Sequence, residues 1–354
     1  MEKHSPVSIC GLVVRPRTGE ILGMATLPNF NPNNLANSTP DARRDRIISD
    51  IAEPGSTFKI VVVSGALNDA IVRLSDVFDC ENGSFYYASR TLHDHERYGV
   101  LSVEEIIKKS SNIGAAKIGI KMGEPRLYDY IRNYGFGMRT GIPLPGEVPG
   151  IVHPVKNWSK VSIAQIPMGH GIAVTRLQMM MAMCAIANDG WLTQPMLVDR
   201  LEDADHKVVV KYTPQRVRKI ISDSAVKLMV KALKTVVSPD GTAPKAALEH
   251  YTVAGKTGTA QKVENGAYVH KFFSSFIGFF PADNPELCIA VMMDDPRDGY
   301  YGGDTGAPIF KQIAEGAANY LNIRPEDAEE PSIPDTTTPS IENHPVKTAA
   351  VRPQ

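Results

Sequence analysis

The chain has 354 residues, of which 43% are hydrophobic, and a formal charge of −1, enough for one large domain or two small ones around a buried core. That balance lacks the basic footprint of a nucleic-acid binder. Four widely spaced cysteines (Cys10, Cys80, Cys184 and Cys288) form no CxxC pair, which excludes a zinc ribbon and a disulfide-dense scaffold. Three of them lie in apolar runs and read as buried free thiols. No stretch approaches about 18 consecutive apolar residues, so none reads as a membrane span. The opening MEKHSPVS has no apolar core of a signal peptide. These features suit either a cytosolic protein or a soluble portion of something longer.

In chain order, the apolar runs 7–14 and 21–26, separated by RPRTGE, predict an antiparallel hairpin. A Pro/Asn-rich loop at 28–34 and a polar helix around 41–50 follow. From Ser56, the run STFKIVVVSGALNDA predicts a helix buried in the middle of a domain. Further helices are expected at 102–109, 112–122, 125–134, 175–188 and 222–237, then strands at 251–255, 272–280 and 287–293, and a closing helix at 307–321. Strands thus come from both ends of the chain with a long helical insertion between them. The reading is α+β: a five-stranded antiparallel sheet flanked by helices, with a large helical subdomain. Residues 324–354 carry six prolines and few aromatics and are expected to be a disordered tail.

Three short motifs carry chemistry. EPGSTFK places Ser56 where a helix begins and Lys59 three residues later, on the same face. The IVVV that follows implies a desolvated lysine, and burial favours the neutral amine that can accept a proton from serine. An SxxK match is common, and Ser224-Ala-Val-Lys227 also fits, inside an amphipathic helix with no Pro-Gly before it. KSSNIGAAKIG sets Ser110 and Asn112 two apart at a helix junction, where either could serve chemistry or a residue there could simply cap the second helix. In VAGKTGTAQKV, alternation puts Thr257 and Thr259 on one side of a strand beside Lys256, and Gly258 leaves the backbone open to close approach. A cation and two hydroxyls there suit the carboxylate of an extended peptide, although an edge strand ending in a glycine turn would look alike. The order SxxK, SxN, KTG is the set shared by penicillin-binding proteins and class A β-lactamases.

Over roughly residues 5 to 323 the chain resembles the transpeptidase domain of class B penicillin-binding proteins, and within them the division-specific FtsI type. The stretches that carry this are TGEILGMATLPNFNPN, EPGSTFK, KSSNIGAAKIG, MGHGIAVTRLQM, KTGTAQKVENGAYVHKFFSSFIGFFPA and DDPRDGYYGGDTGAPIF. Arg176 stands where the family commonly has proline. The resemblance implies one transpeptidase domain over 1–323, with an N-terminal membrane helix and a pedestal domain that these residues do not include. It implies a peptidoglycan D,D-transpeptidase of septal wall synthesis at the extracytoplasmic face of the membrane, with no metal or organic cofactor. Ser56 would be the nucleophile, Lys59 its base, Ser110 a proton relay and Asn112 a holder of the substrate amide. Lys256 would lend positive potential, Thr257, Gly258 and Thr259 would receive the substrate carboxylate, and the backbone N–H groups of Ser56 and Thr259 would form the oxyanion hole. Stem peptides ending in D-Ala-D-Ala and β-lactams are the expected ligands. An FtsW-type glycan polymerase and other divisome proteins are the expected partners.

Other readings share the motifs. A β-lactamase, a D,D-carboxypeptidase and a β-lactam sensor would differ in what becomes of the acyl-enzyme. The cluster His93, Asp94, His95 lacks further spaced ligands and reads as a polar loop, not a metal site. The methionine run Met179, Met180, Met181 and Met183 reads as core, and Glu147 in PGEVPG as part of a structural turn.

Overall fold

A computed structural model of the chain describes residues 1–264 and 266–328. Five strands form one sheet: β1 (Ser8–Arg15), β2 (Glu20–Leu27), β3 (Ala254–Glu264), β4 (Ala267–Phe280) and β5 (Leu287–Asp294). Their order is β3-β4-β5-β1-β2, and every neighbouring pair is antiparallel. Pairing of β1 with β5, Leu12 opposite Ala290, seals the first hairpin of the chain to the last strands. The helices used below are α1 (Lys59–Asn68), α2 (Val103–Lys109), α3 (Asn112–Met122), α4 (Glu124–Asn133), α5 (Arg176–Ala187), α6 (Asp223–Thr235) and α7 (Gly302–Leu321). The α+β architecture expected from strands at both chain ends is the one observed.

Helices cover both faces of the sheet, so β4 from Phe273 to Phe280 and β5 from Leu287 to Met293 are buried on consecutive residues and not alternately. Phe276 and Phe280 of β4 pack edge-on against Phe310 of α7 at 4.9 and 6.5 Å. Phe273, out of phase with them, lies on the other face beneath the Arg176 guanidinium at 5.2 Å. Helix α1 is buried along nearly its whole length and is enclosed by α3, α4 and α6, which is why its sequence is apolar all round. The four methionines of α5 are core.

Helix starts fall where the sequence places them because their caps are local. Ser102 and Thr175 each form a capping box, with Glu105 and Gln178 respectively, and Ser111 and Ser222 cap α3 and α6. Several boundaries differ from the sequence reading, among them the strand expected at 272–280, which begins at Ala267. The polar helix expected at 41–50 shrinks to Arg46–Ser49, because the Asp45 side chain accepts from the Ile47 N–H at 3.0 Å and starts the helix there. The strand expected at 251–255 begins at Ala254 and continues through the polar KTGTAQK, since β4 pairs with it along that length. The last helix starts at Gly302, five residues early. At the start of the expected tail, Glu326 accepts hydrogen bonds from the backbone and hydroxyl of Thr252, and Asp327 pairs with His250 at 2.8 Å. The remainder of that tail, from residue 329, lies outside the described residues.

The cap that aims α2 at the site is a separable contribution. Ser102→Ala removes the side-chain acceptor of the Glu105 N–H and is expected to lower stability by about 1 kcal/mol, read as a shift in the urea unfolding midpoint.

Candidate active site

Ser56 lies in a single tight turn, Gly55–Phe58, with three residues per turn, that leads directly into α1. In such a turn residues i and i+3 eclipse, so the Lys59 Nζ stands 2.9 Å from the Ser56 Oγ. The turn is possible because Gly55 has φ +55°, and because a Cβ there would sit 2.9 Å from the Ala260 Cβ of β3. Ser56 is 6% exposed and Lys59 0%.

The second segment arrives from the junction of α2 and α3. Ser110 ends α2 in the left-handed conformation, φ 60° and ψ 36°, a strained choice for serine that costs about 1 kcal/mol. It turns both its carbonyl and its hydroxyl toward Lys59, whose Nζ also reaches the Asn112 Oδ1 at 2.8 Å. The other end of the Asn112 amide donates to the His93 carbonyl at 2.9 Å, which fixes which way round the amide lies. The carbonyl of Ser110 and the Oδ1 of Asn112 can only accept. They occupy two hydrogens of the amine, and in the neutral form its lone pair is left for the Ser56 hydroxyl.

Strand β3 supplies the third segment. Lys256, 0% exposed, donates to the Ser110 hydroxyl at 2.8 Å, so the two lysines flank one serine. Gly258 presses on the nucleophile turn: a Cβ there would stand 2.4 Å from the Ser275 Oγ and 2.9 Å from the Thr57 Cγ2. Thr257 exchanges a hydrogen bond with Thr242 at 2.9 Å, and the Thr259 hydroxyl accepts from the Gly302 N–H, the first residue of α7, at 3.3 Å. Ser56, Ser110, Thr257 and Thr259 open onto one cleft of about 370 Å³. All eight residues singled out from the motifs therefore meet at one place. The second SxxK does not: Ser224 and Lys227 are exposed on α6.

Burial pushes the Lys59 amine down to about 7, with the negative charge of Asp94 and the Cys80 thiol acting in the opposite direction. Lys256 is driven well below the usual lysine range, first by burial and then by Lys59. The burial that frees the Lys59 lone pair thus also works against a charge on Lys256.

The loop holding Asp94 and His95 enters this site, which the sequence reading of a plain polar loop did not foresee. Asp94 accepts from the Ser111 hydroxyl at 2.7 Å and from the Ile113 N–H at 3.0 Å. His95 lines the cleft and meets Tyr301 edge-on, ring centres 6.0 Å apart. No local signal announces these contacts, since Asp94 caps a helix that starts 18 residues later. Among the described residues no group of three or more potential ligands could hold a metal ion. Glu147 ties its own loop, accepting from the Thr140 N–H and hydroxyl at 2.6 Å each, as expected of a turn. Arg176, in place of a family proline, donates to the Arg46 carbonyl at 2.5 Å, away from the Ser56 turn.

The sequence pattern of the penicillin binding protein transpeptidase domain matches residues 9–315. Stage V sporulation protein D of Bacillus subtilis is 34% identical over 91% of this chain and 51% of that protein. Peptidoglycan D,D-transpeptidase FtsI of Escherichia coli is 33% identical over 89% of this chain and 52% of its own length. Among solved structures, the apo transpeptidase domain of Burkholderia pseudomallei penicillin-binding protein 3 superposes with a TM-score of 0.80 at 32% identity, covering 92% of both chains. Penicillin-binding protein 3 of Mycobacterium tuberculosis, complexed with ampicillin, gives 0.85 at 31% identity over 93% of this chain and 76% of that one. The chain belongs to the penicillin-binding protein transpeptidase family, of class B. It spans about half the length of the two relatives named first.

The close approach of β3 to the Ser56 turn leaves little room for one added carbon. Gly258→Ala places that carbon against the backbone-anchored Thr57 and the Ser275 hydroxyl. It is expected to lower stability by about 1–3 kcal/mol and to slow penicillin acylation, measured on the same preparation by thermal melting and by adduct mass.

Proposed function

We propose that this chain is the catalytic portion of a serine D,D-transpeptidase that cross-links peptidoglycan stem peptides in septal wall synthesis. The observation that carries the reading is the set of oxygens around Lys59: two obligate acceptors and two hydroxyls, that of Ser56 at 2.9 Å and that of Ser110 at 3.2 Å, surround an amine removed from water. In this reading the Ser56 hydroxyl passes its proton to the Lys59 Nζ as Oγ bonds to the carbonyl carbon of the penultimate D-Ala. The developing oxyanion lies between the backbone N–H groups of Ser56 and Thr259, each such donor worth roughly 10²–10³ in rate.

Ser110, bridging Lys59 and Lys256, then delivers a proton to the leaving nitrogen. The C–N bond breaks, and the terminal D-Ala departs from Thr257, Gly258 and Thr259, where its carboxylate was held. Asn112 would contact the amide of the remaining stem. An amine of a second stem peptide attacks the ester, gives up its proton along the same route and restores Ser56. A β-lactam ring opened by Ser56 gives a long-lived analogue of the acyl-enzyme.

The substrate lies outside the cytoplasm, so the protein would work at the extracytoplasmic face of the membrane. Among the described residues no helix is long and apolar enough to cross a membrane, and the anchoring helix implied by the resemblance would belong to sequence upstream of β1. An FtsW-type glycan polymerase is the partner that the family resemblance implies. The KTGTAQKV and DDPRDGYYGG stretches favour a division-type over an elongation-type relative, and genetics or localisation is what would separate division from sporulation.

Two experiments test the reading. Intact mass after incubation with benzylpenicillin is expected to show one persistent adduct, absent in Ser56→Ala and retained in Ser224→Ala; equal loss in both variants would overturn it. Dimeric muropeptides with release of D-Ala would separate a transpeptidase from a carboxypeptidase or a sensor. The pH dependence has a definite sign. Lys59 is protonated below about 7 and cannot then accept the serine proton, so the acylation rate should rise through about pH 7 and level off above it.

A further inference from the structure

The loop after the strand Arg90–His93 makes contacts that neither the motifs nor the reaction assigns. One carboxylate, Asp94, binds three consecutive residues, Ser111, Asn112 and Ile113. Its Oδ1 accepts from the backbone N–H groups of Asn112 and Ile113, and its Oδ2 from the Ser111 hydroxyl. The neighbouring His93 carbonyl accepts from the Asn112 Nδ2, leaving the Oδ1 of Asn112 no orientation but toward Lys59. The loop itself is anchored, Asp94 donating its own N–H to the Gly83 carbonyl at 3.2 Å. We propose that Asp94 is a positioning residue for acylation of Ser56, clamping residues 111–113 so that Asn112 and the left-handed Ser110 stay in register with Lys59, and placing a negative charge near that amine.

Geometry and charge act together. The clamp acts with Lys256 and the Ser111 cap on the turn between α2 and α3, whose strained Ser110 must present carbonyl and hydroxyl to one amine. A misplacement of about 1 Å at such a point can cost roughly 10²-fold in rate. The carboxylate also sits at the N-terminus of the eleven-residue α3, where a negative charge is favoured. The titratable groups around it are Lys59 from α1, Lys256 from β3, Cys80 from the preceding loop, and His95, Glu96 and Tyr98 from its own loop. Of these, Asp94 and Cys80 hold the Lys59 proton on, against the burial that drives it off.

The proposal rests on Ser56 being the residue acylated, and the test keeps the two apart: if the unaltered protein forms no Ser56 adduct with benzylpenicillin, that earlier reading fails and not this one. Given an adduct, the second-order acylation rate is followed by intact mass from acid to mildly alkaline pH for the unaltered protein, Asp94→Asn and Asp94→Glu. Removing the charge lowers the proton affinity of Lys59. For Asp94→Asn the acid-side midpoint is therefore expected to move down by roughly one pH unit, and the plateau rate to fall by roughly 10²-fold. Asp94→Glu, which keeps the charge and misplaces it, should retain the original midpoint with a reduced plateau. A purely structural contact would reduce rates without moving the midpoint, so an unmoved midpoint in folded Asp94→Asn overturns the proposal, as does a midpoint in Asp94→Glu that moves equally far. Where Asp94→Asn fails to fold by thermal melting, Ser111→Ala decides: it removes one donor and leaves the charge, a slower plateau at the original midpoint supports the clamp, and an unchanged plateau overturns it.

Discussion

Everything in this site is arranged around a lysine amine that has been taken out of water. Lys59 is 0% exposed, and an isolated ammonium so placed would carry a penalty of several kcal/mol. The chain meets it by surrounding the Nζ with oxygens from three places: Ser56 one turn away, and the Ser110 carbonyl and Asn112 amide from another helix junction. None of these contacts exists unless α1 is docked against α3, with its first residue lodged at the junction of α2 and α3. Burial of an apolar helix is thus the same event as assembly of the polar site at its N-terminal end.

That coupling explains the tight tolerances nearby. Gly55 and Gly258 face each other's elements at distances where a methyl group would collide, and Ser110 holds a backbone conformation that serine seldom adopts. Such strain persists only where the surroundings over-determine it. Here they do so through Ser111, which caps α3 while its hydroxyl donates to Asp94, and through Lys256, which reaches Ser110 from the edge strand of the sheet. The sheet therefore contributes more than a platform: β3 forms one wall of the cleft and one side of the hydrogen-bond network.

Electrostatics follow from the same enclosure. Two lysines share Ser110 in a dry site, and burial depresses both. A proton can then move among Ser56, Lys59, Ser110 and Lys256 without a large solvent rearrangement, as acyl transfer with a nucleophile and a leaving amine would need. On the opposite wall the N–H at the start of α7 and the hydroxyls of Thr242, Thr257 and Thr259 form a region of neutral donors, suited to a carboxylate that must be bound and then released.

How much of this was legible beforehand depended on how local its cause is. The helix starts at Val103, Asn112, Arg176 and Asp223 were readable because their caps sit beside them, and the α+β class because apolar strands cluster at both chain ends. The motif residues were readable as types, since SxxK, SxN and KTG announce a serine, a buried base and a carboxylate-binding edge. The strand character of KTGT was readable from its alternation, but the run of β3 on to Glu264 was hidden, because its cause is the partner strand β4. The Asp94 clamp and the Tyr301 contact of His95 were hidden for the same reason, being made between segments far apart in the chain. By itself the sequence determined which groups the site would contain, because side-chain chemistry is written residue by residue. Only the tertiary structure decided what orients the buried Ser56–Lys59 pair and which charge lies near it, because long-range hydrogen bonding exists only once α1, α3 and β3 have packed together.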